Sequence, residues 1–443
     1  LDHDRHHLRW AALLASISLS VLFLVGYTFT NRFTATRGDV GVWMYEWERF
    51  IPFVPLMIVP YMSIDLFFVV GPFLCSDRRE LAVLSKRIAL AIIVACALFL
   101  LMPLKLGVER PAASGWLGAV FDWFRAMDQP HNLFPSLHIA LRTILADLYA
   151  RHTRGVWRVL SHLWFSLIGL STLLTYQHHV IDIVGGFALA TVCFYVIPTV
   201  IDRTRVPANP RLGWRYLIGA LVILPLAGSH WFLFRAREIW FLLWPAMSLA
   251  LVGLAYLRGT PGIYQKSDGR MSIAALVLLG PVHFGEWLSL LYYRTRGRAW
   301  DRVSDDLLIG RRLTRREARR LISERISAVI DLTAEFTETP MLRKGATSLP
   351  YLNLQVLDLT SPTQEQIAPA MAFIRLHAPR GPVYLHCKAG YSRSAVIAGA
   401  HLLDCGEARD VDDAVKLLRE RRPRIVIRPE AMAALRAFAS SRE

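Results

Sequence analysis

The chain has 443 residues, 54% of them hydrophobic and 19% charged, and 51 Lys+Arg against 35 Asp+Glu give a formal net charge of +16. Soluble domains average about 45–50% apolar and about 25% charged, so the composition excludes a disordered chain and argues against a single soluble domain. The basic residues are scattered between apolar runs, which favours positive-inside loops and contact with anionic lipid over a nucleic-acid partner. Residues 294–443 hold 26 Lys+Arg and 18 Asp+Glu, about half of all charges in a third of the length. The expected architecture is a multi-pass α-helical membrane domain over 1–203, additional spanning or re-entrant segments over 204–293, and an α/β domain over 294–443.

A membrane span needs about 20 apolar residues. Candidates in chain order are 10–30, 51–75, 86–106, 137–150, 156–176, 180–201, 214–234, 237–257 and 271–293. The first residues carry no small-residue cleavage site, so the run from Trp10 is expected to act as an uncleaved anchor. The fourth candidate contains His138, Arg142 and Asp147 and requires a bundle that shelters them. Arg78, Arg79, Lys86 and Arg87, then Arg151, Arg154 and Arg158, then Arg203, Arg205, Arg211 and Arg215 mark three cytoplasmic loops. Loops 107–136 and 177–179 then face outward. Arg294, Arg296, Arg298 and Arg302 argue that the chain ends inside, which conflicts with nine crossings. Gly280-Pro281 interrupts the last segment, with His283 and Glu286 beyond, a pattern that suits a re-entrant or interfacial hairpin. Eight crossings and a cytoplasmic C-terminal domain are the expectation. Cys75, Cys96 and Cys193 read as small core residues, and the five cysteines form no disulfide framework or zinc spacing.

Three polar pieces lie on the predicted outer side: Lys105 to Arg110-Pro111, Phe134-Pro135-Ser136-Leu137-His138, and Ser171-Thr172 with His178, His179 and Asp182. His178 and Asp182 are four apart and share a helix face if the sixth span starts there. A carboxylate beside an imidazole fixes its tautomer and supports a nucleophilic nitrogen. His138 could protonate a leaving oxygen, while Lys105, Arg110 and Ser136 could hold phosphate oxygens.

These residues resemble the type 2 phosphatidic acid phosphatase (PAP2) superfamily, which carries Lys-x6-Arg-Pro, Pro-Ser-Gly-His and Ser-Arg-x5-His-x3-Asp. Here the second motif reads Pro135-Ser136-Leu137-His138 and the third Ser171-Thr172-x5-His178-x3-Asp182. Only four residues separate Lys105 from Arg110, and Thr172 replaces an arginine that would clamp phosphate. The wording looks more like the inositolphosphotransferase and sphingolipid-synthase branch. The resemblance implies a six-helix core over roughly residues 10–203. It also implies a phosphohistidine on His178, an acid role for His138 and an orienting role for Asp182. Hydrolysis and transfer share the first half-reaction, so both remain open for this site.

The soluble part alternates α and β. Thr314-x2-Glu317 is a capping box opening a helix to about Ile326. Strands are expected over 328–331, 349–357 and 382–386, with helices from Thr363 to about Leu376, from about Ser394 to Leu403, over 411–421 and from Pro429 to about Phe438. Between the last strand and its helix lies His386-Cys387-Lys388-Ala389-Gly390-Tyr391-Ser392-Arg393-Ser394. Backbone N–H groups curled at a helix start make an anion site and lower a thiol pKa. Cys387 is thus a candidate nucleophile, Arg393 a two-oxygen phosphate grip, Gly390 the residue that allows close approach, and Ser394 a partner for the thiolate. Lys388, Ala389, Tyr391 and Ser392 complete the loop. Asp358, at a strand end before Leu359-Thr-Ser-Pro362, is the candidate proton donor, whereas Asp331 reads as a strand-end residue.

His-Cys-x5-Arg-Ser resembles the cysteine-dependent phosphatases, and the short domain, roughly 300–443, resembles their dual-specificity branch. Leu-Asp-Leu-Thr-x-x-Pro before the loop looks like the mitochondrial phosphatidylglycerophosphate phosphatases, with Tyr391 where those have a basic residue. The resemblance implies a phosphocysteine on Cys387, stabilised by Arg393, with Asp358 as acid and then base. Together the two parts resemble a group of bacterial inner-membrane fusion proteins. The expectation is a multi-pass enzyme of the bacterial inner membrane that removes phosphate from phospholipid monoesters. Its membrane site would face outward and its soluble site the cytoplasm. The partners expected are membrane lipids, with an anionic phospholipid as substrate and no nucleic acid. Neither mechanism requires a metal or other cofactor. A membrane-anchored protein tyrosine/serine phosphatase, a head-group phosphotransferase with an attached phosphatase, and a lipid-binding scaffold are the alternatives.

Overall fold

The computed structural model describes residues 2–127, 131–200, 204–234, 240–343, 345 and 349–441. It divides into two compact units, Leu1–Thr199 and Val200–Glu443.

The first unit is helical: α1 (Asp2–Ala35), α2 (Ile58–Leu74), α3 (Arg78–Leu101), α4 (Gly115–Met127), α5 (Leu137–His152), α6 (Gly155–Leu174) and α7 (Val180–Val196). Helix α3 starts where the Asp77 carboxylate accepts from Glu80 N at 2.8 Å. The short α5 is the hub and packs on α2, α3, α6 and α7. Its Leu141, Ile144, Leu145 and Leu148 are buried with Ile64 of α2, Ile88 and Ile92 of α3, Phe165 and Ile168 of α6 and Leu189 of α7. Of the polar groups of α5, Arg142 Nε donates to Phe165 O at 2.8 Å inside the bundle, whereas Asp147 pairs with Arg151 at 3.2 Å on its exposed side. The outer faces carry exposed Leu14, Val21, Val25, Leu66, Phe73, Leu160 and Leu163, the pattern of helices solvated by lipid. Sixteen residues at about 1.5 Å each make α5 shorter than a hydrocarbon core, so its place inside the bundle matters more than its own hydropathy. Among the described residues, five helices are long and apolar enough to cross a membrane: Arg5–Ala35, Pro55–Leu74, Arg78–Leu101, Gly155–Leu174 and Phe241–Arg258. Val180–Val196 is a shorter apolar helix.

The second unit begins with α8 (Pro210–Phe234) and α9 (Trp240–Arg258), which pack on each other. Residues 237–239 of the candidate span 237–257 lie outside the described residues. A hairpin follows, β1 (Lys266–Ser267) with β2 (Arg270–Met271), then α10 (Ile273–Leu278) and α11 (Gly280–Arg294). The expected interruption of 271–293 is a break at Leu279, and Pro281 occupies the first turn of α11, where a missing N–H costs nothing.

The remaining elements are β3 (Trp300–Arg302), β4 (Leu307–Arg311), α12 (Arg315–Ser323), β5 (Ala328–Thr333), β6 (Tyr351–Val356), α13 (Gln364–His377), β7 (Val383–Cys387), α14 (Arg393–Asp404), α15 (Val411–Arg421) and α16 (Pro429–Ser440). The sheet order is β3-β4-β7-β5-β6, parallel except for the edge strand β3. Strand β7 is central, and all five of its residues are buried. One face packs Ile309, Ile330 and Leu385 against Ile367, Met371, Val396 and Leu418 of the helices. The other packs Leu308, Val329 and Tyr384 against Leu321 of α12. Helix α12 has the expected capping box, with Thr314 N donating to Glu317 Oε2 at 2.8 Å. It ends at Ser323, before the expected Ile326, where Arg325 adopts a φ of 58°.

The β1–β2 hairpin is joined to this domain by one buried ammonium. Lys266 Nζ donates to Asp331 Oδ2 at 2.6 Å, Thr333 O at 2.7 Å and Thr333 Oγ1 at 2.9 Å. Both side chains of the pair are fully buried. Removing the ammonium strands a buried carboxylate, at a cost of about 3–5 kcal/mol. In the 443-residue chain Lys266→Met is expected to lower the unfolding temperature of the C-terminal unit, read by limited proteolysis across a temperature series. Lys266→Met with Asp331→Asn should recover most of the loss. An unchanged midpoint in the single variant would contradict a weight-bearing pair.

Candidate active site

Strand β7 ends at Cys387 between β4 and β5, at the carboxyl edge of the sheet. Residues 388–392 curl back, and α14 begins at Arg393. Gly390 has a φ of 73°, and a Cβ there would lie 2.3 Å from Gly310 O, so the loop closes only with glycine. Gly390 N–H donates to Cys387 Sγ at 3.2 Å, and Ser394 Oγ lies 3.4 Å from the same sulfur. Burial of this thiol, 3% exposed, opposes its ionisation. The Arg393 guanidinium, the Ser394 hydroxyl and the loop N–H groups outweigh burial and hold Cys387 below the ordinary thiol range.

Arg393 is 1% exposed. It grips Glu335 with both prongs, at 2.9 and 2.6 Å, and donates to Val356 O at 2.8 Å and Asp358 Oδ1 at 3.1 Å. Lys388 Nζ donates to Asp358 Oδ2 at 2.6 Å. Burial would raise the Asp358 carboxyl, but Arg393 and Lys388 hold it down to about 2. Burial also works against the Lys388 charge, which Asp358, Glu286 and Glu335 nonetheless keep above the ordinary ammonium range.

The loop residues expected from the sequence therefore converge with Asp358 on one spot. Ser392 is the residue before α14, Ala389 O accepts from Arg422 at 3.4 Å, and Tyr391 packs edge-on against Tyr293 at 5.6 Å. Three contributors carried no sequence signal. Glu335 lies in an unpatterned loop after β5. Arg422 belongs to an arginine run that reads as surface, yet it is buried, with Nε donating to Gly390 O at 2.9 Å and Nη1 to Asp301 Oδ2 at 2.7 Å. Glu338 sits 2.6 Å from His386 Nε2. Asp331, Glu338 and His386 offer donor atoms within 4.8 Å of one another. The Lys266 ammonium already neutralises Asp331 there, so the group is a buried charge network rather than a good cation site.

In the helical unit the second and third motif pieces meet. His178 Nδ1 lies 3.6 Å from Asp182 Oδ2, which accepts from His179 N at 2.8 Å. Ser136 N donates to Asp182 O at 2.9 Å, and Ser136 Oγ caps α5 by accepting from Ile139 N at 3.2 Å. His138 stacks on Tyr61 with ring centroids 4.3 Å apart, has His178 as an electrostatic neighbour, and its Nε2 has no partner among the described residues. His179 is a structural partner: Nδ1 lies 3.0 Å from Glu48 Oε2, and Nε2 accepts from Gly107 N at 3.0 Å. Glu48 was not legible, being one acid in a loop 131 residues away. Arg110 Nε donates to Tyr176 O at 2.9 Å, on the same turn as His178. The Lys105 side chain is exposed and has His131 as an electrostatic neighbour. Thr172 keeps its hydroxyl on Gly169 O at 2.8 Å and supplies no cation.

The family profile "Dual specificity phosphatase, catalytic domain" matches residues 314–441, and "PAP2 superfamily" matches residues 54–196. The chain is 30% identical over 166 residues to the Rattus norvegicus phosphatidylglycerophosphatase and protein-tyrosine phosphatase 1, covering 34% of this chain and 85% of that one. For the Homo sapiens protein of the same name the identity is 28% over 184 residues, with 38% and 90% covered. The crystal structure of PTPMT1 in complex with PI(5)P is 26% identical and matches 32% of this chain and 96% of that one, with a TM-score of 0.30. The chain is a phosphoric monoester hydrolase that belongs to the dual-specificity phosphatases through its C-terminal domain and carries a PAP2-superfamily domain ahead of it.

Proposed function

We propose that this protein removes phosphate from phospholipid monoesters through a phosphocysteine on Cys387, and that the helical unit holds a second, phosphohistidine-type site. The observation that carries the first reading is the Cys387 sulfur, flanked by Gly390 N–H and Ser394 Oγ beside the buried Arg393 guanidinium. Lipid as the substrate class is supported by two things. The rat and human relatives bear the name phosphatidylglycerophosphatase. The hairpin and α11, which follow the span-length helix at 241–258, pack on the phosphatase domain itself.

In the proposed reaction the Cys387 thiolate attacks phosphorus in line and the phosphorus–oxygen bond to the lipid breaks. Arg393 and the loop N–H groups hold the three equatorial oxygens. The incoming phosphate competes with Asp358 for Arg393 and Lys388. Asp358 then loses both cations and faces a dianion, which raises its pKa and readies it to give a proton to the leaving alkoxide. In the second half Asp358 takes a proton from water as that water attacks the phosphocysteine. Phosphate leaves, and Ser394 hydrogen-bonds the departing thiolate. In the helical unit His178 would attack phosphorus, oriented by Asp182, with His138 protonating the leaving oxygen. Arg110 donates to that turn through Tyr176 O and is the cation proposed to meet the phosphate, and an alcohol acceptor in place of water would make the same site a transferase.

Cys387→Ser is expected to lower phosphate release from phosphatidyl-phosphates by about 10³-fold or more, while His178→Ala leaves most of it. Lipid activity retained in Cys387→Ser would move that chemistry to the helical unit. Activity on phosphotyrosyl peptides with none on lipid would overturn the lipid reading. The thiolate should form below the ordinary thiol value of 9.0. Iodoacetamide labelling of Cys387 should therefore plateau at lower pH than for a free thiol. Ser394→Ala removes a stabiliser of the charged form and should move the inflection upward by about half to one unit. A downward or absent shift would contradict the Ser394 contact.

A further inference from the structure

Helix α11 is polar inside and apolar outside. Glu286 is the one Asp, Glu, Lys or Arg between Gly280 and Tyr293, and it is buried, with Oε1 accepting from Tyr264 OH at 3.2 Å. Phe284, at 61% exposure, Trp287, Leu288 and Tyr292 form the outer face, and α10 adds Ile273 at 79%. A helix that faces water turns its charges out and its apolar stripe in. The reverse order is the one that hydrocarbon selects.

The neighbours of this hairpin agree. At its tip, between α10 and α11, Trp244 Nε1 of α9 donates to Val277 O at 2.9 Å and Leu278 O at 3.2 Å. A Cβ on Gly280 would lie 2.9 Å from the Trp244 ring, so the tip is set against α9, a helix long and apolar enough to cross a membrane. About 21 Å of helix separates Trp244 from the α9 end at Arg258. Both ends of the hairpin return to the phosphatase domain. Met271 N, before α10, donates to Thr337 Oγ1 at 3.3 Å, and Tyr293, late in α11, packs edge-on against Tyr391 with ring centroids 5.6 Å apart. A segment that crossed a bilayer would leave its ends on opposite sides. Arg294, Arg296 and Arg298 follow at once, where anionic head groups would lie.

The same apolar elements hold both catalytic loops. Tyr293 meets the phosphate loop at Tyr391, and a Cβ on Gly297 would lie 2.8 Å from the Tyr391 hydroxyl. Asn209, just before α8, donates through Nδ2 to Leu359 O at 3.2 Å, next to Asp358. We propose that α10–α11 is a re-entrant hairpin solvated by the acyl chains of one phospholipid leaflet, and that it fixes the phosphatase mouth at the surface of that leaflet. The site then draws phosphate esters from the membrane in which the chain is embedded. The seat of the hairpin stands on its own contacts, whereas this access route rests on the lipid reading.

The test reconstitutes the purified 443-residue chain in phosphatidylcholine–phosphatidylglycerol vesicles. Phe284→p-benzoylphenylalanine should form a phospholipid adduct on irradiation, and the same replacement at Leu376, exposed on α13, should not. No lipid adduct at 284, or an adduct to a second copy of the chain, would overturn the seat. Wild-type chain should release phosphate from phosphatidic acid in its own vesicles about 10-fold faster than from phosphatidic acid in separate vesicles. Equal rates would overturn the access route. Phe284→Lys with Trp287→Lys should lower hydrolysis of phosphatidic acid in the same vesicles about 10-fold more than hydrolysis of a water-soluble aryl phosphate. Equal losses on the two substrates, or none, would overturn the coupling of hairpin to mouth. If the double variant does not fold, the adduct and the wild-type vesicle comparison decide. A wild type that hydrolyses the aryl phosphate and no lipid sinks the lipid reading and the access route, and leaves the seat to the adduct. Lipid hydrolysis without an adduct does the reverse.

Discussion

The C-terminal unit depends on one guanidinium held out of water. Arg393 begins α14, where the helix dipole favours an anion, and its charge is balanced by Glu335 from the β5 loop and Asp358 from the end of β6. Removing either partner would leave a buried charge uncompensated. The pairing therefore ties the ends of three parallel strands to one point: β7 through Cys387, β5 through Glu335 and β6 through Val356 O and Asp358. That convergence makes an anion site and lowers the thiol pKa in a place where burial alone would raise it.

The same logic of buried compensation links the polypeptide on either side of residue 294. Lys266 of the β1–β2 hairpin neutralises Asp331 of β5, and Tyr293 of α11 packs edge-on against Tyr391 of the phosphate loop. Residues 204–293 thus belong to the compact unit that holds the phosphatase domain. In the helical unit the organising element is α5, too short to cross alone but packed on four neighbours, which presents Ser136 and His138 beside the His178 turn.

Much of this was legible because local rules and the fold agree. Cys387, Gly390, Arg393 and Ser394 stand at fixed spacings set by one loop, so sequence neighbours are site neighbours. The capping box at Thr314 and the proline at Pro429 open helices where expected. Asp358 could be named because it ends a strand before a turn, but its ion pairs with Lys388 and Arg393 depend on tertiary approach. Glu335, Glu48, Arg422 and Lys266 were not legible for that same reason. Each is a charged residue without a local pattern whose partner lies 32 to 131 residues away. Strand β4 escaped because five buried residues between charged stretches carry no alternation. Helix α4 escaped because it lies in a connection read as an outward loop. Lys105, which the pattern suggests as a phosphate ligand, has an exposed side chain, and no local rule in the sequence decides what it meets.

The most direct measurement is to locate the covalent phosphate. The purified 443-residue chain would be mixed with phosphatidyl-phosphate carrying radioactive phosphorus, quenched within milliseconds and digested under acid and alkaline conditions. The account predicts an acid-stable label on the peptide containing Cys387, absent in Cys387→Ser. A label that survives only alkali and maps to His178, with none on Cys387, would contradict it.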